Sequence, residues 1–148
     1  MVVSTIDDPA AVAQASADKM WANDRVGAAF GMSVDEVGPG TARVSMLVRG
    51  DMVNGFGSCH GGIISALADT AFALACNSRG TVTVAAGFEI DFLKPAVLGD
   101  RLGADAREVS VRGRSGIYDV TVRSGETVIA EFRGRSRALG RPIQEEER

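Results

Sequence analysis

The sequence is poor in the residue types that usually hold metals. It contains two cysteines, Cys59 and Cys76, and a single histidine, His60. Two cysteines without further cysteine or histidine at ligand spacing do not form a zinc site, so we expect no metal and no cofactor. Cys76 falls on an apolar helix and is expected to be a small core residue. Cys59, beside His60, leaves a reactive thiol open as an alternative.

An excess of positive charge is also lacking. The 148 residues include 16 Lys and Arg against 19 Asp and Glu, which gives a net charge of −3 and a pI near 5.2. This balance argues against nucleic acid or an anionic membrane as the main partner. The N-terminus shows no basic segment followed by an apolar run, so no signal peptide is predicted and a cytoplasmic location is expected.

What the chain does contain is an apolar helix with one acid in it. Residues 54–60 form a Gly-rich loop, and between Gly61 and Asn77 the only charged residue is Asp69. Apolar or small residues occupy both sides of this helix at about 100° per residue, which is typical of a buried helix. The segment is short of the ~20 apolar residues of a membrane span. A buried carboxylate is usually paired, shifted in pKa or functional, so Asp69 is a candidate functional residue.

Strand patterns flank this helix on both sides. An Ala-rich surface helix is predicted over 10–25, after an Asp8 cap and Pro9. Alternating patterns and turn residues predict strands over 31–37, 41–49, 81–93, 101–112, 116–123 and 127–139. In 81–93, the alternation places residues 82, 84, 86, 88, 90 and 92 on one face.

The predicted fold class is α+β, with an antiparallel sheet of about six strands wrapped around the central helix. We expect one domain over residues 1–148, with an N-terminal helical extension over 1–25 and a flexible tail over 141–148. The strand over 81–93 would lie in the sheet centre, or at an edge paired with another subunit. An edge this apolar favours an oligomer.

Several motifs in this order resemble one family. They are Asn54, His60-Gly61-Gly62, Leu67-Ala68-Asp69-Thr70-Ala71-Phe72-Ala73, Ala75-Cys76-Asn77-Ser78, Glu89-Ile90-Asp91-Phe92-Leu93-Lys94-Pro95, Gly99-Asp100 and Phe132-Arg133-Gly134-Arg135-Ser136. Together they resemble the PaaI-type thioesterases of the hotdog superfamily, over roughly residues 26–140. H-G-G alone would be weak evidence, whereas H-G-G followed at this spacing by A-D-T-A-F-A and A-C-N-S is specific.

The resemblance implies an acyl-CoA thioesterase, with phenylacetyl-CoA or its hydroxylated or ring-modified derivatives as substrate. It implies Asp69 as general base or nucleophile, the Gly61 N–H as oxyanion donor, and Asn54 and His60 as residues that orient substrate and loop. It also implies homo-oligomers, commonly dimers of dimers, with active sites at the subunit interface. Some relatives carry Ser or Thr where this chain has Ala85-Ala86-Gly87, so a water-positioning role would pass to Thr70, Asn54 or the backbone.

Chemical reasoning on the same residues agrees with a shared site. A helix N-terminus offers free N–H groups, and Gly61 and Gly62 allow a carbonyl to approach them closely. Asp69 lies eight residues further along, about 12 Å at 1.5 Å per residue, so the two cannot act on one carbonyl within a single chain. Two chains must therefore approach each other. Burial is expected to raise the pKa of Asp69 and make it a stronger base.

Coenzyme A, as part of the substrate, carries three phosphate groups that require basic and hydrogen-bonding residues. The candidates are Gly62, Lys94, Pro95, Arg112, Gly113, Arg114, Ser115, Arg133 and Arg135.

Other interpretations stay open at this point. Asp69 could be a structural helix residue, His60 could only bond backbone, and Asn54 before Gly55 is a turn signal by itself. The substrate could be another aromatic or a medium-chain acyl-CoA. A hotdog hydratase or dehydratase, or an acyl-CoA-binding regulator without catalysis, are alternatives of a different class.

Overall fold

The structure is a computed structural model that describes residues 8–144. Its elements, in chain order, are α1 (Pro9–Asn23), α2 (Arg25–Ala29), β1 (Ser33–Gly38), β2 (Thr41–Leu47), a 3-10 turn (Gly50–Met52), α3 (Gly61–Cys76), β3 (Thr81–Phe92), β4 (Arg101–Arg112), β5 (Ser115–Ser124) and β6 (Thr127–Pro142). None of the helices in this described part is both long and apolar enough to cross a membrane.

The six strands form one antiparallel sheet in the order β1-β2-β4-β5-β6-β3. The α+β class and the sheet wrapped around a helix are confirmed. Only β4, β5 and β6 form a simple meander, because α3 carries the chain across the sheet and places β3 beyond β6. β3 therefore lies at an edge, which was one of the two positions predicted for it.

The core lies between α3 and the inner face of the sheet. Phe72 of α3 is fully buried and its ring packs against Tyr118 and Phe132, with ring centroids 5.6 and 5.7 Å away. Gly134 of β6 allows this approach, because a Cβ there would lie 2.8 Å from the Phe72 ring. The central helix is thus held by both side-chain packing and direct contact with the strand backbone.

Two hydrogen-bonded residues fasten the end of α3 to the sheet. Asn77 donates from Nδ2 to the carbonyls of Ala73 and Thr83, and accepts from the Thr83 N–H, at 2.8–2.9 Å. The buried Ser78 hydroxyl accepts from the Gly40 N–H at 2.8 Å. The Asn77 side chain thus bonds both backbone groups of Thr83, as a neighbouring strand would. These bonds place the C-terminal end of α3 beside Thr83, near the start of β3.

A β-bulge in β3 corrects the predicted alternation. Ala85 pairs with Ser136 and Gly87 with Arg135, so Ala86 is an extra residue in the strand. Residues 88, 90 and 92 share the inner face as predicted. The extra residue reverses the alternation for the part of the strand before it. Val82 and Val84 therefore lie on the outer face.

The ends of the chain differ from the sequence-based boundaries in two places. Helix α1 ends at Asn23, and Asp24 then caps α2 by accepting from the Gly27 N–H at 2.8 Å. β6 continues through Arg141 and Pro142, which pairs with Thr81, so the strand includes residues that were assigned to the tail. Residues 145–148 of that tail, and residues 1–7 of the predicted N-terminal extension, lie outside the described residues.

Candidate active site

The site begins where the loop 54–60 enters α3. His60 is the N-cap residue, and its side-chain Nδ1 accepts a hydrogen bond from the Gly62 N–H at 3.3 Å. The His60 carbonyl accepts from the N–H groups of Ile63 and Ile64. Among residues 8–144 the N–H of Gly61, the first residue of the helix, has no protein acceptor. One donor therefore remains free at the positive end of the helix dipole.

Gly61 also has an aromatic ring against it. A Cβ at Gly61 would lie 3.1 Å from Cζ of Phe92, the last residue of β3. Phe92 remains 51% exposed, so its ring forms an apolar surface beside the free N–H. A carbonyl that accepts from Gly61 would be in an apolar environment, which strengthens the hydrogen bond.

Asn54 organises the loop that leads to this helix. Its side-chain Oδ1 accepts from the N–H groups of Phe56 and Ser58 at 2.9 and 3.1 Å. Its backbone N–H donates to the Ser58 carbonyl at 2.8 Å. The turn interpretation of Asn54 therefore has direct support. Its Nδ2 group has no protein acceptor in the described part of the chain, so the residue still has a donor for a ligand.

Asp69 lies on the one line of α3 that the sheet does not cover. Gly62, Ala66, Asp69 and Ala73 are spaced by three or four residues and are not fully buried, whereas the helix residues facing the sheet are buried. Burial raises the pKa of Asp69, and the negative charge of Asp24 raises it further. The helix is thus buried around most of its surface, but Asp69 lies on its uncovered side.

The free N–H of Gly61 and the carboxylate of Asp69 do not touch each other. They remain eight residues apart on one continuous helix, a rise of about 12 Å. Thr70 does not bridge the gap between Gly61 and Asp69. Its hydroxyl is buried and donates to the Ala66 carbonyl at 2.7 Å, so within this chain the Thr70 side chain bonds its own helix.

The candidate coenzyme A residues fall into two separate groups. Arg112, Ser115 and Arg135 line an open groove of about 450 Å³. This groove lies on the outer face of the sheet, since Ile117, which pairs with Arg135, faces away from the buried Tyr118. Gly113 makes the turn with φ of 58°, Arg114 reaches Gly140, and Arg133 forms an ion pair with Asp119 at 2.7 Å.

Lys94 and Pro95 lie near the start of α3 instead. The Lys94 N–H donates to the Ile129 carbonyl, and the Ala96 carbonyl accepts from the Cys59 N–H at 2.7 Å. This places the exposed Lys94 and Pro95 beside the segment that leads into Gly61. A single chain does not bring the two groups of candidates together.

Neither thiol has the surroundings of a nucleophile. Cys76 is buried, and burial and the nearby charge of Asp69 raise its pKa to about 12. Burial likewise raises the pKa of Cys59. Both sulfurs therefore stay protonated at neutral pH, which argues against the reactive-thiol alternative. No cluster of three or more candidate metal-ligating side chains occurs within residues 8–144.

Three residues have contacts that the sequence interpretation does not include. Phe92 was assigned to a strand face, but its contact with Gly61 depends on β3 crossing to the far edge of the sheet. Arg137 also lines the open groove of Arg112, Ser115 and Arg135. It lies two residues after Arg135 on one strand, and this spacing predicts that both side chains share a face. Asn77 belongs to the motif Ala75-Cys76-Asn77-Ser78, and no local pattern shows that its partner is Thr83.

Comparisons with known proteins are consistent with this geometry. The family model described as thioesterase superfamily matches residues 56–131. The acyl-coenzyme A thioesterase PaaI of Escherichia coli K12 is 42% identical over 129 residues, which is 86% of this chain and 92% of that protein. A putative esterase of Archaeoglobus fulgidus is 37% identical over 79% of this chain and 77% of its own length.

Solved structures agree in fold. The structure of the E. coli PaaI protein from the phenylacetic acid degradation operon superposes with a TM-score of 0.87, at 40% identity, over 88% of this chain and 96% of that one. A Streptococcus mutans protein solved with acetyl CoA bound has a TM-score of 0.72 at 28% identity, over 75% of this chain and 90% of its own.

Proposed function

Because the chain belongs to the thioesterase superfamily and is therefore a thioester hydrolase, we propose that its substrates are aryl-acetyl thioesters of coenzyme A. Phenylacetyl-CoA and its hydroxylated or ring-modified derivatives are the intended class, with the free acid and coenzyme A as products. The similarity to the E. coli PaaI enzyme supports this choice. The observation that carries the mechanism is the free Gly61 N–H at the start of α3, with Asp69 not fully buried further along the same helix.

Gly61 would stabilise the negative charge that develops on the thioester oxygen. Its N–H points out of the helix start, and the helix dipole favours an anion there. The capping bond of His60 occupies the neighbouring Gly62 N–H, so the free donor is well defined. In this proposal His60 and Asn54 position the loop, and the free Nδ2 of Asn54 contacts the substrate.

Asp69 would act on the carbonyl carbon through water or directly. As a general base it removes a proton from the attacking water, and the thiolate of coenzyme A leaves. As a nucleophile it attacks the carbonyl carbon and forms an anhydride as the C–S bond breaks and the thiolate of coenzyme A leaves, and water then hydrolyses the anhydride. Both routes need the carboxylate form, and the half-buried position makes that carboxylate more basic.

A complete site would need a second copy of the chain. β3 is an edge strand that leaves Val84, Phe88 and Phe92 more than 40% exposed. Phe92 pairs with Ala130, and the next residue, Leu93, donates its N–H to the Ile129 carbonyl. Because backbone groups in an antiparallel pair alternate in direction along the strand, the N–H and C=O of Phe92 point to the free edge. An unpaired apolar edge is a surface that favours pairing with another strand.

The position of the two-fold axis follows from the direction of α3. Its start lies beside Phe92 and its end is bonded to Thr83, so it runs antiparallel to β3. An axis that places Gly61 of one chain at Asp69 of the other passes near residue 65 of the helix. Residue 65 lies about 6 Å along the helix from Gly61, which is beside Phe92. At about 3.3 Å per strand residue, the axis therefore passes near Glu89 and Ile90 of β3. A pair of such dimers would give the expected tetramer.

The phosphates of coenzyme A would use the basic residues of both chains. A two-fold axis at this level brings the β4–β5 turn of one chain closer to the helix start of the other. Lys94 and Pro95 would then come from one chain and Arg112, Ser115 and Arg135 from its neighbour. The cytoplasmic location and the absence of a cofactor stay predictions.

The test is release of free thiol from a panel of acyl-CoA substrates. Phenylacetyl-CoA should be hydrolysed faster than acetyl-CoA and medium-chain acyl-CoA. Asp69→Asn should lower kcat by about 10²–10⁴-fold, the usual range for losing a general base. Glu126→Gln, in the exposed β5–β6 turn, is the matched control and should leave the rate unchanged.

The same panel separates the alternatives. A preference for another aromatic or a medium-chain thioester would change the substrate and keep the mechanism. Binding of acyl-CoA without thiol release would identify a regulator. Addition or removal of water across a double bond, with no thiol released, would identify a hydratase or dehydratase.

A further inference from the structure

An aromatic ring stands almost free in solvent on the loop before α3. Phe56 is 95% exposed, whereas the next most exposed large apolar side chain in the described residues, Leu98, is 63% exposed. An apolar ring in water has a free-energy cost that burial removes. Phe56 makes no packing contribution to the fold of the single chain that would explain its presence.

The loop that holds this ring is fixed by hydrogen bonds. The Asn54 side chain accepts from the Phe56 N–H, and the Asn54 carbonyl accepts from the Gly57 N–H at 3.1 Å. Bridges between Val53 and Cys59, and between Ser58 and Val97, hold its two ends. The ring is therefore presented by a built turn, with a positive φ of 81° at Gly57.

The turn also limits how far the ring can lie from the proposed oxyanion donor. Phe56 lies five positions before Gly61, so their Cα atoms are at most about 18 Å apart even in a fully extended chain, and the turn shortens this distance. The Ser58–Val97 bridge and the bond from Cys59 to Ala96 tie the loop to the segment that follows Phe92. Gly61 thus has one half-exposed ring against it, Phe92, and a second ring on the adjoining loop.

We propose that Phe56 is a specificity-determining residue, whose ring forms one wall of the binding site for the aryl group of the thioester held at Gly61. The inference rests on the proposed function and names the residue that selects its acyl class. Aromatic rings attract each other in offset or edge-to-face contacts beyond their burial, so an aryl group gains more from Phe56 than an acetyl group does. The ring acts on substrate affinity and takes no part in bond making or breaking.

The test compares two substrates on a set of variants. Phe56→Ala should lower kcat/KM for phenylacetyl-CoA by about three- to tenfold, mainly through KM, the size expected for one aromatic contact. The rate with acetyl-CoA should stay the same, and Phe56→Tyr should keep the wild-type preference. Val109→Ala, which removes a 49% exposed apolar side chain on β4, is the matched control and should change neither substrate.

Sedimentation velocity on the same proteins keeps the proposal falsifiable. A side chain this exposed should be replaceable without loss of folding, so Phe56→Ala should keep the oligomer of the wild type. An equal loss with both substrates, no loss with either, or dissociation into monomers would each overturn the role in specificity. A wild-type protein that releases no thiol from any acyl-CoA would instead overturn the proposed function.

Discussion

Gly61 is the residue at which a single backbone atom is expected to do chemistry. It is the first residue of α3, a position where proline is well tolerated because the N–H has no partner in the helix. The preceding residue, His60, has φ −58° and ψ 131°, which is the conformation that proline requires before it. Gly61→Pro should therefore remove the donor and keep the helix.

We expect Gly61→Pro to lower kcat by about 10²–10³-fold, the usual effect of losing one oxyanion donor. Gly61→Ala is the matched control, because it also places a Cβ near Phe92 but keeps the N–H. Steady-state kinetics and circular dichroism on both variants provide the measurement. Equal rates for the two variants would show that the ring contact matters and the N–H does not.

The raised pKa of Asp69 predicts opposite effects of pH on activity and stability. The reaction needs the carboxylate, so kcat/KM should fall as pH drops through a pKa that lies above the ordinary value of about 3.9. For stability, a folded-state pKa above the unfolded one means that the folded protein binds the proton more tightly. Ionised Asp69 thus destabilises the fold at neutral pH, and this effect disappears below both pKa values.

Asp69→Asn should accordingly raise Tm at neutral pH, by an amount that vanishes in acid. Thermal unfolding of wild type and variant across pH is the measurement. A variant less stable than wild type at neutral pH would indicate that Asp69 forms a stabilising bond in the assembled protein, the structural interpretation of this residue.

At the scale of elements, the contact between α3 and β6 decides how closely the helix approaches the sheet. Gly134→Ala would place a methyl group 2.8 Å from the ring of Phe72, which is fully buried and cannot move aside. We expect the free energy of unfolding to fall by about 1–3 kcal/mol, the usual cost of overpacking a core. Denaturant unfolding measures it.

A second glycine in a strand provides the control. A Cβ at Gly103 of β4 meets no atom within 4 Å, so Gly103→Ala should be neutral or slightly stabilising. Phe72→Leu in the Gly134→Ala background should recover part of the loss, because the smaller side chain leaves room for the methyl group. Additive effects of the two substitutions would contradict the proposed contact.

Strand identity was predictable at this scale, whereas strand position was not. The boundaries of β4 match the predicted 101–112, because alternation and flanking turns are local signals. The bulge at Ala86 and the place of β3 beyond β6 depend on pairing with residues far along the chain. Alternation alone therefore assigned Val82 and Val84 to the wrong face.

At the scale of the whole molecule, the prediction concerns a site divided between two chains. Asp69→Asn and Gly61→Pro should each inactivate both sites of a dimer. A hybrid of the two variants would contain one site with both defects and one with none. Hybrids purified through two different tags should thus recover about half of the wild-type rate per dimer.

Mixing the purified variants under conditions that prevent subunit exchange is the control, and it should give no recovery. Hybrids as inactive as their parents would show that one chain supplies both groups. In a tetramer built from two such dimers, only a pair of unlike chains that shares an axis at β3 recovers activity, so the recovered rate is calculated per unlike pair.

The sequence by itself determined the elements, the family and the candidate catalytic pair. Helix and strand periodicity are local signals. The motifs H-G-G, A-D-T-A-F-A and A-C-N-S, in this order, identified Gly61 and Asp69 as the candidate catalytic pair. The spacing of eight residues on one helix predicts a site shared by two chains, since the rise per residue is a constant of the backbone.

Only the tertiary structure decided which groups stand next to each other. It placed β3 at the edge, Phe92 against Gly61, Asn77 on Thr83, and the arginine groove on the outer face of the sheet. It left one line of α3 uncovered and Phe56 exposed on the loop that precedes the helix. These are contacts between residues far apart in the chain, and they arise from strand pairing and packing that no local pattern encodes.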